Sequence, residues 1–122
     1  MGLLDEADLP RVLPGTFAVF EGGLWSAIDS KPKRSEEPAR VRRLRRRPQA
    51  TVLVDVYHDD WARLAWVELR GPVAVLDASH AGAALEALTA KYEQYRAEPP
   101  PGPLLRLAPE AFSCWRFSEA GA

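Results

Sequence analysis

Residues 50–77, ATVLVDVYHDDWARLAWVELRGPVAVLD, constrain the fold of this chain more than any other stretch. Two runs rich in β-branched and aromatic residues flank the polar turn HDDW and predict strands. The first run, ATVLVDVY, is apolar on both faces in its middle, which predicts a strand deep in a sheet. The second, RLAWVELRGPVAVLD, reads as two strands or as one long strand bent at Gly71-Pro72, because proline is poorly tolerated inside a central strand.

The remaining segments fit around this pair. TFAVF-EGG-LWSAID predicts two short strands joined at Gly22-Gly23. Ser35, followed by Glu36 and Glu37, predicts a helix start with a capping hydroxyl and acids in the first turn. Val41 and Leu44 give that helix a narrow apolar face, and Pro48 ends it. SHAGAALEALTAKYEQYR is the clearest helix, with Ser79 as its cap and Ala81, Ala84, Leu85, Leu88 and Tyr92 at three- and four-residue spacing. AEPPPGP is a stiff connector, and LLRLAPEAFSCWRF adds one or two strands. The predicted order is β-β-α-β-β-β-α-β-β: a mainly β, α+β fold in which an antiparallel barrel carries two flanking helices. At 122 residues the chain is one domain, 1–122, with residues 1–9 free to be flexible.

Charge is distributed unevenly. Residues 29–48 hold nine of the sixteen Lys and Arg residues against three acids, so this stretch is +6 in a chain of net charge −1. Three explanations fit: a solvated helix face, an arginine-rich helix that grips nucleic-acid phosphates, or an anchor for one compact anion. The acidic remainder of the chain and the lack of aromatic residues among the arginines disfavour nucleic acid. SKPKR lies between a strand end and a helix start, where backbone N–H groups and fixed cations together hold a phosphate well.

Other chemistry is sparse. One cysteine, Cys114, excludes an intrachain disulfide and reads as a packed core thiol; with no apolar membrane span and no signal peptide, the expectation is a soluble, cytoplasmic protein. Asp55, His58, Asp59 and Asp60 form a polar turn better read as solvated than as a metal site. Of the four tryptophans, Trp25 and Trp115 read as core or dimer packing. Trp61, after a polar turn, suits the wall of a pocket for a flat ligand. No serine-nucleophile elbow, phosphate-binding Walker loop or dinucleotide glycine fingerprint is present.

Four stretches carry a resemblance: AIDSKPKR, VRRLRRRPQATVLVDVYHDDWARLAWVELRGPVAVL, AKYEQYR and PGPLLRLAPEAFSCW. From about Pro10 to Phe117 the chain resembles the pyridoxamine 5′-phosphate oxidase-like superfamily, and within it the deazaflavin-dependent oxidoreductases. The most specific pieces are the KPKR turn, the P-x-x-x-V-L-V-D-x-Y-x-x-D-W strand and turn, and KY-x-x-YR. The resemblance implies an FMN-binding type of split β-barrel that forms a homodimer, with FMN or a deazaflavin of the coenzyme F420 type in a cleft between protomers. It further implies that Ser30, Lys31, Lys33, Arg34 and Arg40 hold the cofactor's phosphate, that Trp61 and Trp66 neighbour its ring or the substrate, and that the strands after Asp59 form much of the dimer wall. The activity implied is hydride transfer to a small unsaturated or ring substrate; a non-catalytic binding module is the alternative. The chain departs from the family pattern in two places. Almost nothing precedes Leu9, so a first strand is expected to be missing, and Gly15 stands where relatives carry a larger apolar residue.

Overall fold

The computed structural model describes residues 1–28 and 37–117. Eight antiparallel strands form one sheet that does not close: β1 (Gly2–Leu4), β2 (Pro10–Val12), β3 (Ala18–Phe20), β4 (Gly23–Ala27), β5 (Gln49–Val56), β6 (Ala65–Leu76), β7 (Leu104–Leu107) and β8 (Ala111–Arg116). Three helices accompany them: α1 (Ala39–Arg46), α2 (Gly82–Lys91) and α3 (Glu93–Ala97). The arrangement is a split barrel of the α+β class.

The long apolar stretch sets this architecture. β5 pairs with β6 from Gln49↔Pro72 to Val56↔Ala65. β6 is one continuous strand, and its partners along another edge are β8 up to Arg70 and β7 from Val73 onward. The change of partner falls at Gly71-Pro72, where the chain from Ala108 to Glu110 bulges away. Ala108 N–H donates to the Pro72 carbonyl (3.0 Å) and Glu110 N–H to the Arg70 carbonyl (2.8 Å), so the ribbon bends without losing these bonds. Gly71 is needed for that close approach, because a Cβ there would stand 2.2 Å from the Ala108 carbonyl oxygen.

Two cores form on opposite faces of the sheet. Leu24 from β4, Leu105 and Leu107 from β7, and Ala50, Val52 and Val73 face α1, whose Val41 and Leu44 are fully buried. The predicted two-residue apolar face is therefore enough to seat this short helix. On the other face Trp25, Ala27 and Leu104 pack beneath Ala84, Leu88 and Tyr95 of α2 and α3.

The structure corrects several expectations. The segment before Leu9 is not empty: β1 hairpins with β2 and reaches β5 at Gly2↔Thr51. The C-terminal helix is divided, because Tyr92 is extended (φ −115°, ψ 116°), so the described residues hold three helices where two were expected. Ser79 lies in a short 3-10 turn at Ala78–His80 and caps nothing; Ala81 precedes α2 without a side-chain cap. β5 is not deep in the sheet on both faces, for its outward residue Leu53 is 55% exposed. Cys114 is exposed as well, because no element among the described residues covers β8. Trp25 is buried as expected, and Trp115 is not part of the core. Ser35 and Glu36, read as the helix start, lie outside the described residues; Pro38 occupies the position before α1.

Candidate functional site

Residues on either side of the KPKR sequence come together beside Gly15. β4 delivers Ser26 there, and the start of α1 delivers Arg40. Arg40 Nη2 donates to the Pro14 carbonyl at 3.1 Å, and its Nη1 lies 3.7 Å from where a Cβ of Gly15 would be. The same Cβ position is 3.6 Å from Ser26 Oγ. Ser26 is 2% exposed, and its hydroxyl has no hydrogen-bond partner among the described residues. The Met1 ammonium, bonded to the Leu13 carbonyl at 2.7 Å, is close enough to feel Arg40; burial, then that guanidinium's charge, lower its pKa. Among the described residues no carboxylate pairs with Arg40. Of the predicted phosphate ligands, Ser30, Lys31, Lys33 and Arg34 lie outside the described residues, and Arg40 is the one that the structure places.

The other arginines of α1 have a different use. Arg43 Nε donates to both oxygens of Glu6 (3.1 and 3.3 Å), and Arg46 and Arg47 both approach Asp8 Oδ1 (3.3 and 3.1 Å). Arg46 also donates to the carbonyls of Asp5 and Glu6. Arg45 holds Glu37 through two bonds, and Arg42 donates to the Glu37 carbonyl. These bonds hold the Glu6 and Glu37 carboxyls below the ordinary range. The acidic turn between β1 and β2 is thus the counterpart of the basic helix. The sequence signal for it was the run DEAD at 5–8, which lies 38 residues or so from its partners and has no fixed spacing to them.

The KY-x-x-YR motif fixes the strand entry beside this cluster. Tyr92 hydroxyl donates to the Phe17 carbonyl (3.0 Å) and accepts from Phe17 N–H (3.0 Å). Lys91 Nζ donates to the same carbonyl at 2.7 Å and lies 3.4 Å from the centre of the Phe17 ring. The hydroxyls of Tyr95 and Thr16 are 2.7 Å apart. Arg96 closes the end of α2 on the carbonyls of Thr89 and Ala90. The break at Tyr92 lets both tyrosines reach residues 16 and 17, which holds Gly15 in place over Ser26.

Trp61 and Trp66 occupy another region. Trp61, 72% exposed, sits in a 3-10 turn (Trp61–Arg63) beyond the far end of β5. This turn engages its own polar groups: Asp60 Oδ1 accepts from Ala62 N–H, and His58 Nδ1 accepts from Asp60 N–H. Among the described residues no three His, Cys, Asp or Glu side chains gather to hold a metal. Trp66 pairs across the sheet with Asp55 and Trp115, on the same face as Leu53. The opposite face of this ribbon carries Val56, Phe112 and Cys114, all exposed. Both faces of the β5–β6–β8 end therefore carry exposed apolar side chains among the described residues, the Leu53 face interspersed with Asp55 and Glu68, and exposed apolar patches of this kind favour contact with another surface. The structure does not bring the tryptophans to Arg40 within one chain: the described contacts of Arg40 run to Pro14 and Gly15.

No protein-family model matches this sequence, and no curated protein matches it. Solved structures share its fold. A conserved hypothetical protein of Mycobacterium tuberculosis superposes with a TM-score of 0.75 at 14% identity, over 99% of this chain and 78% of that one. An FAD-binding protein of Mesorhizobium loti superposes at 0.67 and 16% identity, over 93% and 80%. A pyridoxamine 5′-phosphate oxidase-related, FMN-binding protein of Nostoc punctiforme superposes at 0.55 and 15% identity, over 93% and 70%. No helix among the described residues is long and apolar enough to cross a membrane.

Proposed function

We propose that this chain, whose fold is that of the pyridoxamine 5′-phosphate oxidase-like flavin-binding split barrels, binds FMN or a deazaflavin and serves as an oxidoreductase on a small unsaturated or ring substrate. The observation that carries the reading is the cluster around Gly15: among the described residues Arg40 is left out of the ion pairs that absorb its helix neighbours, and it shares the space beside Gly15 with a buried hydroxyl that has no partner there. A guanidinium fork next to an O–H donor suits a phosphate monoester, and the cations of the KPKR turn, in sequence between β4 and α1, add to it.

The bound cofactor would supply the hydride chemistry itself. The chain's own groups bind, orient and exclude water. Arg40, with Ser30, Lys31, Lys33 and Arg34, anchors the phosphate end. Tyr92 and Tyr95 keep residues 14–17 in place beside it. Trp61 and Trp66 are flat and exposed, and no described contact joins them to Arg40, so in this reading they meet the ring held by a second protomer. A homodimer formed through the β5–β6–β8 end covers the exposed Leu53, Trp66 and Trp115 and completes the cleft. Pairing of the other helix arginines with Glu6, Asp8 and Glu37 leaves little free charge for a polyanion, which favours a small anionic ligand over nucleic acid. The test is titration of the purified protein with FMN and with a deazaflavin, followed by fluorescence quenching and calorimetry. Micromolar or tighter binding of one of them is expected, and binding of neither would overturn the proposal.

A further inference from the structure

We infer that Ser26 is a buried ligand for the phosphate end of the cofactor, reached through the gap that Gly15 leaves. The inference rests on the proposed cofactor reading and adds to it a residue and an entry route. Side chains alternate along β4: Trp25 and Ala27 enter one core, while Leu24 and Ser26 face the other. Ser26 is thus a hydroxyl in an apolar row, 2% exposed, and it is the buried side-chain oxygen that finds no partner among the described residues. Packing does not explain it, since alanine would fill a similar volume without stranding a donor.

What lies above Ser26 gives the hydroxyl a use. Gly15 is exposed, and any side chain there would stand in ordinary contact with both Ser26 Oγ (3.6 Å) and Arg40 Nη1 (3.7 Å). With glycine at this position, the guanidinium of Arg40 lies next to the space a side chain would fill, tethered to the Pro14 carbonyl by one exposed bond. An arriving phosphate competes for that guanidinium, because a charge-assisted pair is stronger than a bond to a neutral carbonyl. As Arg40 turns to the anion, the Ser26 O–H comes within reach and donates to a phosphate oxygen. The ligand class is a phosphate monoester, whether free inorganic phosphate or the tail of a flavin.

Ser26→Ala and Gly15→Ala test this, with FMN, riboflavin (the same ring system without phosphate) and inorganic phosphate as probes. Ser26→Ala is expected to weaken FMN about tenfold or more, the scale of a lost hydrogen bond to a charged group. It should leave riboflavin affinity unchanged and raise the ligand-free melting temperature by about 4 °C, because a stranded hydroxyl is removed. Gly15→Ala should fold normally and weaken FMN selectively, by closing the gap. Equal FMN affinity in Ser26→Ala and the unaltered protein, or a lower ligand-free melting temperature, would overturn the inference. If the unaltered protein binds neither flavin, the cofactor reading falls, and inorganic phosphate decides the site. Thermal stabilisation lost in Ser26→Ala upholds the inference, and no stabilisation or an equal one overturns it.

Discussion

Replacing Gly71 by alanine probes the feature that makes this sheet a split barrel. A Cβ at that position would lie 2.2 Å from the Ala108 carbonyl oxygen and 3.1 Å from both the Ala108 carbonyl carbon and the Glu110 nitrogen. All three are backbone atoms, so no side-chain rotation relieves the clash. The 108–110 bulge must retreat by roughly 1 Å to restore ordinary contact, the scale of misfit that overpacked cores resist. Two hydrogen bonds hold that bulge to β6, from Ala108 to Pro72 and from Glu110 to Arg70. Weakening them costs about 0.5–1.5 kcal/mol each, and overpacking of a tight backbone contact adds about 1–3 kcal/mol. The expected loss is therefore about 2–6 kcal/mol, a large share of the stability of a domain this size. Urea denaturation followed by tryptophan fluorescence measures it, with Gly82→Ala as the control because a Cβ there meets nothing within 4 Å. A Gly71→Ala variant as stable as the control would refute the inference that this glycine is required by the bend.

Leu53→Asp should break the proposed dimer and spare the protomer. Leu53 is 55% exposed in one chain, and a two-fold interface would use it twice; losing about 1.5 kcal/mol per copy weakens association by about a hundredfold or more. Sedimentation analysis should find the unaltered protein dimeric, the variant monomeric and their circular dichroism alike; a monomeric unaltered protein would remove the interface. The union of the acidic turn and α1 should fail in acid. Asp5 is held below the ordinary carboxylate range by Leu9 N–H first, and Glu6 and Glu37 by bonds from Arg43 and Arg45. A lowered folded-state pKa contributes stability above the unfolded value and loses it as pH falls from about 4 downward. The melting temperature should drop over that window, less steeply in a Glu6→Gln, Glu37→Gln double variant; identical profiles would contradict the assignment.

Local pattern carried much of this fold. Val41 and Leu44 identified the buried face of α1, since a two-residue stripe at helical spacing has one reading. Gly71-Pro72 marked the bend of β6, because proline withdraws its N–H from the ladder. What escaped depends on contacts between distant residues. The partners of the basic helix, at Asp5, Glu6 and Asp8, have no periodic relation to it. The break at Tyr92 follows from bonds that Tyr92 and Tyr95 make to residues 16 and 17, while the helical spacing of the segment runs straight through it. β5 looked central because both of its faces are apolar; within one chain only one face has a core to meet. Cys114 was misplaced for the same reason. At the candidate site, Arg40 was singled out through the family pattern, whereas Ser26 was read only as a strand residue. Its proposed role rests on burial without a partner among the described residues, beneath a glycine.

The central claim, that the cluster around Gly15 holds the phosphate of a flavin-type cofactor, is tested most directly by calorimetric titration of FMN against riboflavin. The expected result is one FMN per protomer at micromolar affinity or tighter, with riboflavin at least about tenfold weaker because it makes no bond to Arg40. Equal affinity for the two, or binding of neither FMN nor a deazaflavin, would contradict it.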